Sequence, residues 1–160
     1  MIEEATRALE GILQRMGVRA EIAAREDEER ITLEIVGADS GLVIGRQGTT
    51  LDALQYLVNK MAGRGQPEAA HKPIMLDAEG YRGRRAESLT ELAHRLAEKV
   101  IKTRRPVMVQ PMSAADRRII HLALADVPGV ATRSEGEGVQ RRLLVVPASD
   151  ERGQETLAEK

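Results

Sequence analysis

Residues 41–57 read Gly41-Leu42-Val43-Ile44-Gly45-Arg46-Gln47-Gly48-Thr49-Thr50-Leu51-Asp52-Ala53-Leu54-Gln55-Tyr56-Leu57. The apolar trio Leu42-Val43-Ile44 runs into a Gly-x-x-Gly turn. Beyond the turn Leu51, Leu54, Leu57, Val58 and Met61 recur at helical spacing, the pattern of one packed helix face. Glycine at both ends lets the turn close tightly and removes side chains, so that a phosphate can approach the main chain. The amides that open the following helix would point at that phosphate, and Arg46 adds a positive charge at the same spot. Glycine pairs at this spacing also occur in ordinary connections between two helices, so the flanking sequence has to decide.

Upstream, Ile2, Ala5, Leu9, Ile12, Leu13 and Met16 predict an amphipathic helix that ends near Gly17. Val18, Ala20, Ile22 and Ala24 then alternate with Arg19, Glu21, Ala23 and Arg25. After the charged turn Glu26-Asp27-Glu28-Glu29, Ile31, Leu33 and Ile35 alternate with Arg30, Thr32 and Glu34. This predicts a hairpin with one buried face and a solvated acidic tip. Downstream, a loop at Gly63-Arg64-Gly65-Gln66-Pro67 precedes the short apolar strand Pro73-Ile74-Met75-Leu76. The order helix–strand–strand–helix–helix–strand is that of a type II KH module (αββααβ), whose Gly-x-x-Gly loop clamps the backbone of a single-stranded nucleic acid. It fits a first domain over 1–79, with Ile44, Gly45, Arg46, Gln47, Gly48 and Thr49 as its binding loop.

Composition narrows the function. The 160 residues include no Phe and no Trp, and only Tyr56 and Tyr81 are aromatic. The core must be aliphatic, and the usual platform for stacking bases is nearly absent. A nucleic acid would have to be held by its backbone. The chain has no cysteine, which removes disulfides, thiolate metal sites and cysteine nucleophiles together. No apolar run approaches the roughly 18 residues of a membrane span, and the N-terminus lacks a signal-peptide core. These features fit a cytoplasmic protein. The net charge is −1, yet residues 40–118 carry 14 basic and 8 acidic side chains, while residues 1–39 carry 5 and 10. A local positive field attracts phosphate even when the whole chain is near neutral.

Gly80-Tyr81-Arg82-Gly83 marks the joint to a second domain, 80–148. A helix follows with Leu89, Leu92, Ala93, Leu96 and Val100 on one stripe. Arg84, Arg95 and Lys102 share its flank, either as a phosphate-binding ridge or as part of a solvated face with Glu91–Arg95 and Glu98–Lys102 pairs. Arg104-Arg105-Pro106 ends this helix, and Val107-Met108-Val109 is a short strand. Ser113-x-x-Asp116 resembles a capping box. In the helix it opens, Ile119, Ile120, Leu122, Ala123 and Leu124 suggest extensive burial, leaving a strip with Arg117, Arg118 and His121 between small alanines. Arg117 and His121 are one helical step apart. Val130 to Ser134 and Val139 to Val146 predict two strands around the turn Glu135-Gly136-Glu137-Gly138, with Arg141-Arg142 near Arg133 if the hairpin pairs in register. Residues 149–160 form a polar tail.

Two blocks of this sequence resemble the Jag family (SpoIIIJ-associated proteins) of bacteria. The first is Leu42 to Leu57. The second is Asp116-Arg117-Arg118-Ile119-Ile120-His121-x-Ala123-Leu124 followed by Val130-x-Thr132-Arg133-Ser134-Glu135-Gly136. The resemblance covers roughly residues 1–147. It implies an α+β chain: a type II KH domain followed by a small α+β Arg-xxx-His (R-three-H) domain that binds single-stranded nucleic acid. It further implies a cytoplasmic RNA-binding protein tied to control of cell elongation and division, and a small stand-alone KH protein as partner. Gly45, Arg46, Gln47 and Gly48 match the family's clamping loop; Arg117 and His121 match the second domain's signature pair. The chain departs from the family in beginning almost at the KH helix, without an N-terminal Jag domain. Ser113-Ala114-Ala115-Asp116 and Gly138-Val139-Gln140 also stand where runs with an aromatic residue are common, which favours phosphate over base contacts at the second site.

The expected function is therefore non-catalytic binding of single-stranded RNA, or of single-stranded DNA, by the loop and by Arg117, Arg118, His121, Arg133 and Arg141. No cofactor or metal is expected. The alternative is a protein-interaction adaptor whose KH surfaces dimerise. His71, His94 and His121 are scattered, and no His-Glu-x-x-His, Walker or Gly-x-Ser-x-Gly motif supports an enzyme.

Overall fold

The computed structural model describes residues 1–37, 39–64 and 72–148. The loop residues Gly65, Gln66 and Pro67, His71 and the tail 149–160 lie outside the described residues. The fold is α+β, and the chain divides into two compact units, Met1–Gly83 and Arg84–Lys160. The sequence reading starts the second domain at Gly80. The division falls a few residues later because Tyr81 packs on the core of the first unit.

In the first unit α1 (Ile2–Arg15) leads into β1 (Glu21–Glu26) and β2 (Ile31–Val36). Two helices, α2 (Ser40–Ile44) and α3 (Thr49–Ala62), precede β3 (Ile74–Ala78). The sheet order is β1-β2-β3. β1 and β2 are antiparallel, with Leu33 opposite Ala24. β2 and β3 are parallel, with Leu33 opposite Leu76. A parallel neighbour cannot be reached by a tight turn, so the α2–α3 segment is the crossover. This is the αββααβ order of a type II KH domain.

Strand parity sets the core. Ile31, Leu33 and Ile35 of central β2 are all fully buried and pack with Leu9, Leu51 and Val58. β1 is less buried than its alternation predicts: only Ile22 is half-buried, and Ala24 is exposed. It is an edge strand. In α3 the inward residues are Leu51, Leu54, Val58 and Ala62. Leu57 and Met61, apolar at the same period, lie off the centre of that stripe and are 46% and 50% exposed.

Side chains of α3 close the β3 edge. Asn59 donates from Nδ2 to the Ile74 carbonyl at 2.8 Å and accepts the Ile74 amide at 3.0 Å. Gln55 Oε1 accepts the Leu76 amide at 3.0 Å. An unpaired strand edge is a template for aggregation, and here amide side chains substitute for a further strand. The acidic hairpin tip has its own role. Asp27 accepts the amides of Glu29 and Arg30 at 2.8 and 2.9 Å. The Arg30 amide first, then that of Glu29, holds its carboxyl below the ordinary carboxylate range.

The second unit contains α4 (Tyr81–Thr103, from Arg84 on), β4 (Val107–Met108), α5 (Ala114–Leu124), β5 (Val130–Glu135) and β6 (Arg142–Pro147). Its sheet order is β4-β6-β5, antiparallel throughout. Leu89, Ala93, Ala97 and Val100 of α4 pack with Ile120, Leu124, Leu143 and Val145. Two sequence expectations need correction, the start of β6 and the burial of α5. Residues 138–140 form a single turn of 3-10 helix, so β6 begins only at Arg142, and Arg141 lies before it. Arg133 pairs opposite Leu144, and Glu135 opposite Arg142, so Arg142 lies on the same face of the hairpin, diagonal to Arg133, as the sequence predicts. α5 is less buried than expected: Asp116, Ile120 and Leu124 are inward, whereas Leu122 is 58% exposed.

Asn59→Ala would leave the amide and carbonyl of buried Ile74 without these side-chain partners. It should lower stability by about 1–3 kcal/mol, measured by urea denaturation followed through circular dichroism. An unchanged midpoint would show that the edge needs no closure.

Candidate nucleic-acid interface

The first site is the turn between α2 and α3. Val43 is buried and anchors α2, while Ile44 packs at the margin of the core. The chain leaves the helix through Gly45 at φ 67°, ψ −172°. Gln47 follows at φ 55°, ψ 27° and Gly48 at φ 81°, ψ 7°. Such left-handed backbone costs a non-glycine residue energy and persists only where the surroundings enforce it. Arg46, Gln47 and Thr49 are exposed. The Thr49 hydroxyl donates to the Arg46 carbonyl at 2.9 Å, tying the turn to the helix that follows.

No side chain caps the first turn of α3, because the N-cap residue is Gly48, although the Thr49 amide already donates to the Arg46 carbonyl. The remaining opening amides and the helix dipole favour an anion there, and exposed Arg46 supplies a positive charge beside it. The loop residues named from sequence, Ile44 through Thr49, are contiguous in this turn. The glycines, however, serve the packing of the loop. A Cβ at Gly45 would collide with the Thr50 side chain, coming within 2.8 Å of its Cβ. A Cβ at Gly48, which is buried, would lie 2.8 Å from Cε1 of Tyr81. The space at Gly48 is taken by an aromatic ring and is not left open for phosphate.

The second site lies between α5 and the sheet of the second unit. Ser113 caps α5 by accepting the Asp116 amide at 3.1 Å. In a full capping box the acid would reach back to the cap amide. Instead the buried Asp116 carboxylate takes the Arg85 guanidinium, at 2.8 Å from Nη2 and 3.3 Å from Nε. This pair holds the start of α5 against α4. One residue on, Arg117 Nη1 donates to Ser134 Oγ at 3.0 Å. One turn further, His121 Nδ1 shares a 2.5 Å hydrogen bond with Thr132 Oγ1. Thr132 and Ser134 are two apart on β5 and so face the same side.

These residues line a groove of about 500 Å³ together with Ala114, Arg118 and Leu143. No carboxylate is among its lining residues. Arg117 Nε is buried without a hydrogen-bond partner, while Arg118 and His121 are exposed. Two guanidinium groups, an imidazole and two hydroxyls around an open groove suit an oxyanion.

Not every nominated residue belongs to it. Arg133 sits between Thr132 and Ser134 on the strand and thus on the opposite face. Its guanidinium is engaged by Glu135 at 2.6 Å. Arg141 is exposed and does not line the groove. Thr132 and Ser134 were present in the sequence block but not singled out; their two-residue spacing opposite the one-turn spacing of Arg117 and His121 is the signal. Among the described residues no cluster of three or more His, Asp or Glu side chains could hold a metal ion, and no helix is long and apolar enough to cross a membrane.

The fold and the two sites define a KH domain followed by a second α+β module carrying the Arg-xxx-His pair. Residues 2–72 match the family described as KhpA/KhpB, KH domain, and residues 87–147 match the R-three-H domain. The protein named RNA-binding protein KhpB of Clostridium symbiosum is 37% identical over 145 residues, covering 89% of this chain and 64% of that protein. Its namesake in Bacillus subtilis is 32% identical over 146 residues, 90% of this chain and 69% of that protein. A third, from Lactiplantibacillus plantarum, is 35% identical over 134 residues, 84% of this chain and 41% of that protein. The chain belongs to the KhpB family, the Jag family that its two sequence blocks resemble. It spans about two thirds of the length of the first two relatives.

Asp116→Ala removes the charged acceptor of Arg85. It should destabilise the second unit by about 1.5–3 kcal/mol and release the start of α5, seen as faster amide exchange in residues 114–118. Unchanged exchange there would show that Ser113 alone suffices.

Proposed function

We propose that this protein is a non-catalytic single-stranded RNA-binding protein that grips the phosphate backbone at two sites, the Gly45–Gly48 loop and the Arg117–His121 groove. The observation that carries the reading is the loop: exposed Arg46 and Gln47 project from a left-handed turn directly before the uncapped first turn of α3. The names of the relatives, all RNA-binding proteins, support RNA as the ligand. The functional modules are 1–79 and 80–148. The protein would act in the cytoplasm as a post-transcriptional regulator of cell elongation and division. Scarce aromatic residues favour backbone grip over base reading, so single-stranded DNA would bind as well, though without any contact to a ribose hydroxyl.

A second reading, a protein-interaction adaptor, is favoured by one observation. Tyr56, Leu57 and Met61 present an exposed apolar strip on α3, at 63%, 46% and 50% exposure. Its occupant would be a second copy of the chain or a small stand-alone KH protein.

Two charge-altering variants test the RNA reading. Because Gly45 and Gly48 are packed, substitutions there would damage the loop itself; Arg46 and Gln47 are the residues to change. Asp tolerates the left-handed conformation of Gln47, so Arg46→Asp with Gln47→Asp should fold normally. It should weaken binding of a short single-stranded RNA by at least about tenfold, through like-charge repulsion and lost phosphate contacts. Arg117→Ala with His121→Ala should weaken it less and flatten the salt dependence of log Kd. Fluorescence anisotropy at several salt concentrations reads both. Duplex RNA should bind more weakly than the single strand. Wild-type affinity that ignores salt, or loop variants that bind normally, would favour the adaptor.

A further inference from the structure

The turn from β3 into α4 delivers two side chains to the back of the binding loop. Glu79 and Gly80 both have positive φ, 51° and 69°, so the chain reverses sharply after β3. The reversal is held by the Glu79 amide donating to the Ile35 carbonyl at 3.3 Å, and by the Gly80 amide donating to Glu34 Oε1 at 3.1 Å. Glu79 Oε1 in turn accepts the Gly37 amide at 3.3 Å. Directly after this clamp come Tyr81 and Arg82.

The Tyr81 ring rests where a side chain at position 48 would be: the position of a Cβ on Gly48 is 2.8 Å from Cε1, 3.3 Å from the hydroxyl oxygen and 3.4 Å from Cζ. Arg82 reaches the first turns of α3. Its Nη2 donates to Asp52 Oδ1 at 3.0 Å and to Gln55 Oε1 at 3.1 Å, and its Nε donates to the Leu76 carbonyl at 2.8 Å. Its amide donates to Asp77 Oδ1 at 3.1 Å. The strained Gln47–Gly48 turn is therefore backed by a ring on one side and by an arginine-tethered helix on the other.

We infer that Tyr81 and Arg82 are positioning residues for the phosphate-gripping loop. The Tyr81 ring supplies the packing that Gly48 lacks and keeps the left-handed turn populated before RNA arrives; Arg82 fixes the start of α3, whose amides meet the phosphate. Arg82 also neutralises Asp52, which would otherwise place an unpaired negative charge in the first turn of α3. Binding would then draw on preorganisation. The inference rests on the RNA reading above, but its structural half can be tested without RNA.

The test uses the full chain and the variants Tyr81→Ala, Tyr81→Leu and Tyr81→Phe. Amide hydrogen exchange of residues 45–52 is measured in the free protein, with β2 as internal control. Affinity is measured for a short single-stranded oligouridylate. Tyr81→Ala should speed exchange of the Thr49 amide, which donates to the Arg46 carbonyl across the turn, while β2 keeps its protection, and should weaken RNA binding by about tenfold. Tyr81→Leu, which keeps an apolar body in the core, should show the same pattern more mildly. Tyr81→Phe, which keeps the ring, should stay closer to the wild type in both readouts than either of these. Loop exchange that stays at the wild-type rate in the Ala and Leu variants overturns the inference. So does a parallel loss of protection in β2, the mark of a merely structural role. If the wild type binds no RNA at low salt, the RNA reading itself falls and with it the role in binding; the exchange comparison separately decides whether Tyr81 holds the loop.

Discussion

Much of the first unit follows from one backbone constraint, the left-handed turn at Gln47–Gly48. The chain must leave α2 and start α3 within four residues so that the crossover can bring β3 parallel to β2. Only a residue without Cβ fits at position 48, because the space is taken by Tyr81. Once the turn is made, α3 lies over the sheet with Leu51, Leu54 and Val58 against β2, and Gln55 and Asn59 meet the β3 edge. The constraint that shapes the fold also exposes Arg46 and Gln47 and leaves the first turn of α3 without a capping side chain. Fold and candidate site are built from the same few residues.

Charge explains how a chain of net charge −1 can offer two anion sites. At physiological ionic strength, fields between exposed groups fade within about 8 Å. An acidic group beyond that distance does little to a phosphate. Inside each site the acids are neutralised. Asp52 is paired with Arg82 near the loop, and Asp116 with Arg85 beside the groove. Each pair leaves a neighbouring cation, Arg46 or Arg117, without a competing carboxylate among the described residues. Asp27, a prominent acid in the sequence, has its carboxylate committed to closing a turn.

The element order was legible because periods of 2 and 3.6 residues are written directly in Ile31-Leu33-Ile35 and Leu51-Leu54-Val58. The loop was legible because the helix–strand–strand order upstream and the Leu42-Val43-Ile44 run set Gly45-Arg46-Gln47-Gly48 where a KH loop belongs. Less visible was where each stripe is centred. Leu57 and Met61 share the period of the core residues but sit at its flank, so they stay exposed. On β5 a one-residue difference in parity separates Arg133 from Thr132 and Ser134, and charge alone does not reveal which side a strand turns inward. Arg141 was misplaced because Val139 suggests a longer β6, whereas Gly138 starts a separate turn. The contacts of Tyr81 with Gly48 and of Arg85 with Asp116 join residues about 30 positions apart, which no local pattern encodes.

Contact of phosphates with the loop main chain and the groove side chains is what everything else turns on. Titrating the isotopically labelled full chain with a short single-stranded RNA, and following backbone amide shifts by NMR, tests it most directly. The largest changes are expected at residues 45–51 in the first unit, and at 117–121 and 132–134 in the second. Changes confined to the exposed strip of Tyr56, Leu57 and Met61, with the loop amides silent, would contradict it.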